Sequence, residues 1–258
     1  MAVELTFNGR RYRAAAAVAS DVAIPQSFDG SGPRAFGAQA AVADPLAVGD
    51  FTGRVGTGAS CNASVLHLTP HGNGTHTETV AHLAEDGPTV PALLNGGWMP
   101  AWLTSIEVTG DAIGAAVLAP ALEQVRAAGA VALLVRTRPN TTDKLVREYP
   151  GDRPPSWFSE AAAQAVADAR IEHWLVDLPS LDRMDDTALP AHRAFFGLPE
   201  GSRNAREARR RFCTVTEMIY VADELADGLY LLDLQVPRWS LEAVPSRPLL
   251  MPAELIEE

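Results

Sequence analysis

The sequence has a single lysine and few cysteines. Because Lys144 is the only lysine in 258 residues, chemistry through a lysine Schiff base is close to excluded. Cys61 and Cys213 are too few for a disulfide framework, and we interpret Cys61 as a buried structural thiol. No segment approaches the roughly 20 apolar residues that span a bilayer, and no basic start precedes a long apolar run. We therefore expect a soluble, cytoplasmic protein without a membrane partner.

Positive charge is also scarce. The chain has 21 Lys and Arg residues against 32 Asp and Glu residues, which gives a formal net charge of −11. Such a chain is poorly suited to nonspecific nucleic-acid binding, which depends on neutralising phosphates. One basic run at 203–211 interrupts the acidic sequence. We interpret it as a solvated helix face, and alternatively as a guard that draws anionic substrates to a site.

Alternating helices and strands predict an α/β fold. Asn8-Gly9 predicts the turn of a hairpin over about 3–18, whereas residues 20–62 suggest irregular loops and short strands. The length suits one large domain, and neither a linker nor a repeat divides it. We predict a single domain over 1–258. The predicted elements of its second half are helices at 119–129 and 157–170 and strands at 130–137, 171–178, 213–221 and 228–236.

Histidine is rare but concentrated in one place. Four of the six histidines lie in "HLTPHGNGTHTETVAH" at 67–82. The metalloprotease pattern His-Glu-x-x-His is absent, and on a helix His76 and Glu78 would lie about 200° apart. In an extended chain His76, Glu78 and His82 point to one side, with neighbouring same-side positions about 6.6 Å apart. The segment therefore predicts a strand that binds a divalent ion through nitrogen and oxygen.

A glycine-rich turn precedes this strand. Residues 72–74 tolerate positive φ and would fold His71 back beside His76. His67 lies on a predicted strand at 64–69, where we expect a half-buried structural side chain. Any one of these histidines could equally be a surface or capping residue, so the prediction concerns the cluster as a unit.

The cluster resembles the signature of a metal-dependent cyclase family that includes bacterial kynurenine formamidase, an arylformamidase, and isatin hydrolase. That signature is His-x-Gly-Thr-His-x-Asp-x-x-x-His, and "HGNGTHTETVAH" places His76, Glu78 and His82 on its second histidine, its acid and its third histidine. The sequence departs from it twice. One extra residue lies between His71 and His76, and Glu78 replaces the aspartate.

A second region resembles the same family. "VDLPSLD" at 176–182 and "LPAHRAFFG" at 189–197 are similar to the segment that carries a further histidine ligand, here His192. Beyond it the family places a glutamate at the head of a strand, and Glu217 is the best match. The resemblance covers about 20–237 and implies a swivelling β/β/α-type domain.

The resemblance implies an activity as well as a fold. It indicates hydrolysis of a carbon–nitrogen bond in a small non-peptide amide, aryl or cyclic, by a homodimer that holds one or two ions of Zn²⁺ or Mn²⁺ per chain. The ions lower the pKa of a bound water toward about 7 and polarise the carbonyl. The implied site residues are the metal ligands His71, His76, Glu78, His192 and Glu217 and the proton shuttle His82.

Two alternatives stay open at this point. The rival function is a non-catalytic ligand-binding or structural protein on the same scaffold, with a modified metal site. The change at Glu78 and the extra residue before His76 favour that rival, whereas the presence of His82, His192 and Glu217 favours the enzyme. Five aromatic residues either line a substrate pocket or belong to the core, and the core is the more frequent outcome. They are Trp98, Trp102, Trp157, Phe195 and Phe196.

Overall fold

The computed structural model describes residues 2–15, 19–150 and 154–257. The strands are β1 (Ala2–Phe7), β2 (Arg10–Ala15), β3 (Ser20–Asp21), β4 (Val42–Pro45), β5 (Ala47–Val48), β6 (Phe51–Thr52), β7 (Ser64–His67), β8 (His76–Glu78), β9 (Trp98–Glu107), β10 (Ala112–Ile113), β11 (Ala132–Arg138), β12 (Trp157–Phe158), β13 (His173–Val176), β14 (Thr214–Glu217), β15 (Gly228–Gln235), β16 (Ala243–Pro245) and β17 (Arg247–Glu257). The helices are α1 (Val90–Leu93), α2 (Ala115–Ala128), α3 (Glu160–Asp168) and α4 (Pro190–Phe196). Short 3-10 turns lie at Val55–Thr57, Pro70–Gly72, Val80–His82, Thr142–Leu145 and Ala205–Glu207.

One mixed sheet of eleven strands organises the described part of the chain. Its order is β1-β2-β17-β15-β9-β11-β13-β14-β8-β16, and β3 pairs with β17. The central strands β9, β11, β13 and β14 are parallel, and the strands on both sides of them pair antiparallel. Parallel neighbours need crossover connections, which α2, α3 and α4 supply between successive central strands. The predicted α/β fold is confirmed.

The predicted N-terminal hairpin forms. β1 and β2 pair antiparallel with Phe7 opposite Arg10. Asn8 and Gly9 between them have φ values of 48° and 82°, the left-handed conformation that asparagine and glycine tolerate best. Residues 16–18 of the predicted hairpin lie outside the described residues.

The helices α2 and α3 occur where the sequence predicts them, although their first residues differ. α2 ends as predicted at Gly129, which has a φ of 64°, but it begins at Ala115 rather than at residue 119. α3 begins after Ser159, whose hydroxyl accepts a backbone hydrogen bond at 3.1 Å. Residues 157–158 therefore form β12 instead of a helical turn. None of the described helices is long and apolar enough to cross a membrane.

Helices α2, α3 and α4 cover an aromatic core on one face of the sheet. Trp174 is fully buried, and its ring centroid lies 4.8 Å from that of Phe158 and 5.6 Å from that of Phe195. Phe195 and Phe196 are fully buried in this core. Trp98 and Trp102 are partly buried and pack against apolar clusters, which supports the core interpretation for these two. Trp157 lies beneath the guanidinium of Arg183 and belongs to neither cluster.

Residues 42–67 stand apart from the large sheet. They form two short antiparallel ladders, β4 with β7 and β5 with β6. All four residues of β7 are exposed, so the prediction that His67 is half-buried is wrong. Cys61 is exposed too, which contradicts the predicted buried thiol. Both predictions fail for one reason, which is that no second layer of the described chain packs over this ladder.

The carboxyl ends of the parallel strands meet at one edge of the sheet, where α/β proteins gather functional side chains. Glu217 is the last residue of β14. Strand β8 runs antiparallel to β14 and places His76 directly opposite Glu217. The histidine cluster and the distant glutamate therefore meet at this edge.

Candidate metal centre

Strand β8 carries two of the candidate ligands in the interior of the sheet. It lies between β14 and β16, with Glu78 opposite Val215 on one side and Ala243 on the other. His76 and Glu78 are both completely buried. Thr77, between them, contacts Thr216 hydroxyl to hydroxyl at 2.7 Å. The predicted strand is confirmed for His76–Glu78.

The glycine-rich turn folds His71 back onto this strand, as predicted. Asn73 fixes the turn, because its side-chain oxygen accepts from the Thr69 N–H at 2.7 Å and its amide donates to the Gln39 carbonyl at 2.9 Å. Gly74 then has a φ of 140°, a conformation that favours glycine. The ring centroids of His71 and His76 come within 4.9 Å of each other.

His82 reaches the cluster by a different route from the predicted extended chain. The Thr79 hydroxyl accepts from the Ala81 N–H at 3.2 Å and donates to the Pro88 carbonyl at 2.6 Å, which ends β8 and begins the 3-10 turn Val80–His82. The expectation of an extended chain at His82 is therefore wrong. The turn nevertheless returns its ring to the cluster, with Nδ1 3.9 Å from Glu78 Oε2.

His192 enters from helix α4, and Asp182 sets its orientation. The Asp182 carboxylate accepts from the backbone N–H groups of Ala191 and His192 at 2.6 and 3.0 Å, which satisfies the start of the helix. His192 Nδ1 also lies 2.6 Å from Asp182 Oδ2. The opposite ring nitrogen, Nε2, therefore points at the cluster, 3.0 Å from Glu78 Oε1 and 3.3 Å from Glu217 Oε1.

The two glutamates link the histidines from opposite sides. Glu78 places Oε2 3.2 Å from His71 Nδ1 and its other oxygen beside His192. Glu217 places Oε2 3.4 Å from His76 Nε2. Its Oε1 accepts from the Leu181 N–H at 2.9 Å. One oxygen of Glu78 thus faces His71 and one oxygen of Glu217 faces His76. The other oxygen of each glutamate faces His192.

The chemistry of this cluster fits a divalent cation. The Nε2 atoms of His76 and His192 and both Glu78 oxygens are buried without a hydrogen-bond partner in the described structure, and they converge on one place. Unpaired buried polar atoms are costly, and a cation would satisfy them together. His71, His76, Glu78 and Glu217 each offer a ligand atom, all within 4.8 Å of one another. Mixed imidazole and carboxylate ligands suit Zn²⁺ or Mn²⁺.

Both carboxyl groups are held in the ionised form that a metal requires. Burial raises the pKa of Glu78, but His82 and His192 outweigh it and hold that pKa well below its usual value. Burial and the Glu78 carboxylate raise the pKa of Glu217, yet the close contacts of its carboxylate with His192 and His76 lower that pKa overall. The site therefore carries two negative charges in its interior.

The histidines respond to these charges in different directions. Burial lowers the pKa of His71, but the neighbouring glutamates, Glu78 first, raise it to about 8. Burial also lowers the pKa of His192, yet Glu78 and the other carboxylates raise it well above its usual value. For His82, Glu78 raises the pKa, whereas burial and the neighbouring histidines lower it, and the net shift is downward.

Sequence reasoning missed two acids beside the cluster. Asp182 lies inside a quoted family segment but had no role, and Glu242 had none either. Glu242 Oε1 lies 3.4 Å from His71 Nε2. Glu242 has no local sequence signal, because it meets His71 only through the fold, whereas Asp182 lies ten residues before His192 at the end of that segment.

The basic run at 203–211 is mostly irregular backbone. It contains only the 3-10 turn Ala205–Glu207, so the predicted helix face is wrong. Arg210 donates to the carbonyls of Phe195 at 2.7 Å and Ala167 at 3.0 Å, and also to the Ile171 carbonyl. These bonds connect Arg210 to α3 and α4. They give this arginine a structural role that does not require a bound ligand.

Comparison with known proteins identifies the family and the fold. A family model described as "Putative cyclase" matches residues 18–183, which is more than half of the chain. A potential metal-dependent hydrolase with cyclase activity superposes with a TM-score of 0.63 at 19% identity, covering 91% of this chain and 98% of the other. Isatin hydrolase A from Labrenzia aggregata, bound to benzyl benzoate, gives 0.61 at 15% identity, covering 92% and 94%.

A further isatin hydrolase, bound to the product analogue thioisatinate, superposes with a TM-score of 0.58 at 13% identity, covering 92% of this chain and 93% of the other. No match was found among the curated proteins. At these identities the superpositions show a shared fold, which is the predicted α/β fold of the cyclase structures. The matched residues of the family model include His71, His76, Glu78, His82 and Asp182, whereas His192 and Glu217 lie beyond them. The chain therefore belongs to the cyclase family.

Proposed function

We propose that this protein is a metal-dependent hydrolase that cleaves the carbon–nitrogen bond of a small non-peptide amide, aryl or cyclic, in the manner of an arylformamidase. The observation that carries the proposal is the set of buried nitrogen and carboxylate atoms that converge without other hydrogen-bond partners. The fold shared with isatin hydrolases supports an amide of the cyclic or aryl type.

The positions of the carboxylate oxygens favour one or two Zn²⁺ or Mn²⁺ ions per chain. His71 faces one oxygen of Glu78, and His76 faces one oxygen of Glu217. These four groups would provide the ligands for a first ion. His192 faces the other oxygen of Glu78 and of Glu217, which provides the ligands for a second. Both glutamates would then take part in holding the metal.

Each residue of the site would have a separate role in the reaction. A divalent ion held by these residues would supply Lewis-acid chemistry, which polarises a carbonyl and lowers the pKa of water toward about 7. Glu78 and Glu217 balance the cation charge, and Asp182 keeps His192 Nε2 aimed inward. The side chain of His82 is 28% exposed at the rim of the cluster, where it can deliver a proton to the leaving nitrogen.

The test combines metal content with a substrate panel. Protein purified without a histidine tag should contain one to two ions per chain by elemental analysis. When loaded with Zn²⁺ or Mn²⁺ it should hydrolyse an N-formyl arylamine or a cyclic aryl amide but not a peptide. His76→Ala should lose both metal and turnover, whereas the control His67→Ala, which alters an exposed histidine, should lose neither.

Two outcomes would contradict the proposal. Metal content well below one ion per chain after loading would rule out the metal centre. Full metal content without turnover of any amide would instead support the rival, a non-catalytic protein on this scaffold.

We also propose a cytoplasmic location. Cys61 is exposed and both cysteines are unpaired, a state that reducing compartments maintain. Localisation of a tagged chain to an oxidising compartment would contradict this proposal.

A further inference from the structure

We propose that Glu242 is a positioning residue of the metal centre, which holds the His71 ring so that Nδ1 faces the metal. The inference rests on the proposed function, since it concerns how this chain keeps His71 as a ligand. It adds a carboxylate that the cyclase signature in the sequence does not contain.

The His71 ring lies between two carboxylates. Nδ1 is 3.2 Å from Glu78 Oε2 on the inner side, and Nε2 is 3.4 Å from Glu242 Oε1 on the outer side. An imidazole that binds a metal through Nδ1 carries its proton on Nε2. A carboxylate beside Nε2 accepts that proton's hydrogen bond, fixes the tautomer and orients the ring.

The other two candidate histidine ligands show the same arrangement. His76 Nδ1 lies 3.0 Å from the Gly74 carbonyl, and His192 Nδ1 lies 2.6 Å from Asp182. In each case the nitrogen turned away from the cluster meets an oxygen. For His71 the corresponding oxygen is Glu242 Oε1, which lies 3.4 Å from Nε2 as an electrostatic contact and can accept its hydrogen bond when the metal fixes the ring.

The backbone of Glu242 is fixed beside the ligand strand. Its carbonyl accepts from the Thr79 N–H at 3.0 Å, and the next residue, Ala243, pairs with Glu78. Its side chain is 42% exposed, so the fold does not depend on burying it. The carboxylate therefore stands at a defined place at the rim, and its removal should leave the apo fold intact.

His71 has particular need of such a partner. Its side chain is 20% exposed, whereas His76 and His192 are almost completely buried and held by packing as well. His71 also immediately precedes the turn that contains the extra residue. A ring in this position has more freedom to rotate, and the Glu242 contact restricts it.

Metal affinity measures this role directly. Competition with a chromophoric chelator gives the dissociation constant for Zn²⁺ of the parent, Glu242→Ala and Glu242→Gln. The loss of such an outer partner typically weakens metal binding by roughly 10- to 100-fold, which we expect for Glu242→Ala. Glu242→Gln should lose less, because its amide oxygen still accepts a hydrogen bond. The control Glu123→Ala removes an exposed carboxylate on α2 and should bind as the parent does.

A double-mutant comparison separates positioning from a general effect of charge. If Glu242 acts through His71, Glu242→Ala should have no further effect in a His71→Ala background. An equal loss in both backgrounds would show a direct or long-range charge effect and overturn the proposal, as would an unchanged affinity in Glu242→Ala. Nitrogen-15 spectra of the zinc-loaded parent should show a protonated Nε2 on His71, and a protonated Nδ1 would also overturn it. A parent that binds no metal would instead contradict the proposed function itself.

Discussion

His82 differs from the other histidines of the cluster in its surroundings. The rings of His76 and His192 are buried with one nitrogen held by an oxygen, whereas the His82 side chain is 28% exposed and its nearest recorded acid contact is 3.9 Å long. A ligand needs close, fixed contacts, while a group that moves protons needs access to the substrate. The geometry therefore favours the role of proton donor for His82.

We predict that His82→Ala retains metal and loses turnover. The expected loss is roughly 10²- to 10⁴-fold in kcat, the usual contribution of general acid–base catalysis. Elemental analysis and amide hydrolysis of the same preparation measure the two properties together, and His76→Ala serves as the comparison that loses both. If His82→Ala releases metal as readily as His76→Ala, the histidine is a ligand instead.

The length of Glu78 is matched to this site. Its two oxygens reach His71 at 3.2 Å and His192 at 3.0 Å from a fully buried strand position. We predict that Glu78→Asp, although it restores the acid of the family signature, weakens Zn²⁺ binding by roughly tenfold or more, the scale on which such sites respond to disturbed ligands. Glu78→Gln keeps the length without the charge and shows how much each contributes. Parent-like affinity in Glu78→Asp would show that the site does not require the longer side chain.

At the scale of elements, β8 shows what sequence predicts and what it does not. The alternation of His76 and Glu78 indicates a strand with both side chains on one side, and the strand is found. The insertion of this strand between β14 and β16 depends on residues more than 130 positions away, so the chain carries no local sign of it. The Glu242 contact follows from the same long-range pairing and was missed for that reason, whereas Asp182 meets His192 across only ten residues of chain.

Local chemistry likewise explains where predicted elements end. The Thr79 and Ser159 side chains accept backbone hydrogen bonds at the start of a turn and of a helix. Because of the Thr79 cap, His82 lies in a turn and not in an extended chain. Because of the Ser159 cap, α3 begins after residues 157–158 and not with them. Periodicity alone does not distinguish a capping residue from the residues beside it, whereas the hydrogen bond does.

Strand β13 contains a histidine that should make stability depend on pH. His173 is buried, with Nδ1 2.8 Å from the Thr214 hydroxyl, and burial lowers its pKa from 6.5 to about 4. The unfolded chain therefore binds the proton more tightly than the native protein does. The stability linked to this residue is present above about pH 6.5 and is lost as the pH falls toward 4, with a total of about 3 kcal/mol.

We predict that His173→Leu removes this part of the pH dependence. Urea unfolding at neutral pH and near pH 4.5 gives the free energy of unfolding of both proteins. The parent should lose more stability than the variant on acidification, because the titrations of all other groups cancel in the comparison. Equal losses would show that His173 does not bind the linked proton.

At the scale of the whole molecule, the two ends of the chain are joined in one sheet. β2, near the amino terminus, pairs with β17, near the carboxyl terminus, and β3 pairs with β17 as well. The single domain predicted over 1–258 should therefore unfold as one unit. Tryptophan fluorescence and far-UV circular dichroism should give coincident urea transitions. Two separated transitions would show that the chain contains independent domains.

The homodimer implied by the family resemblance stays a prediction, and the ladders at 42–67 are the surface on which we expect it. Val48 and Leu66 expose 63% and 49% of their surface there, and β7 is exposed on both faces. Exposed strands with apolar side chains tend to pair with another chain, and a stable interface buries on the order of 1,600 Å² in total. A second copy that covers these ladders would remove apolar surface from water on both chains.

Light scattering coupled to size-exclusion chromatography should therefore give a mass close to twice the 27.5 kDa of one chain. Leu66→Glu should shift the protein toward the monomer, because a charge at the centre of an apolar interface must be desolvated when the copies meet. Val117→Glu is the matched control, since Val117 is 44% exposed on α2, away from the ladders. A monomeric parent at all concentrations would contradict the dimer. A dimer that survives Leu66→Glu would place the interface on another surface, because the substituted side chain would then remain in water.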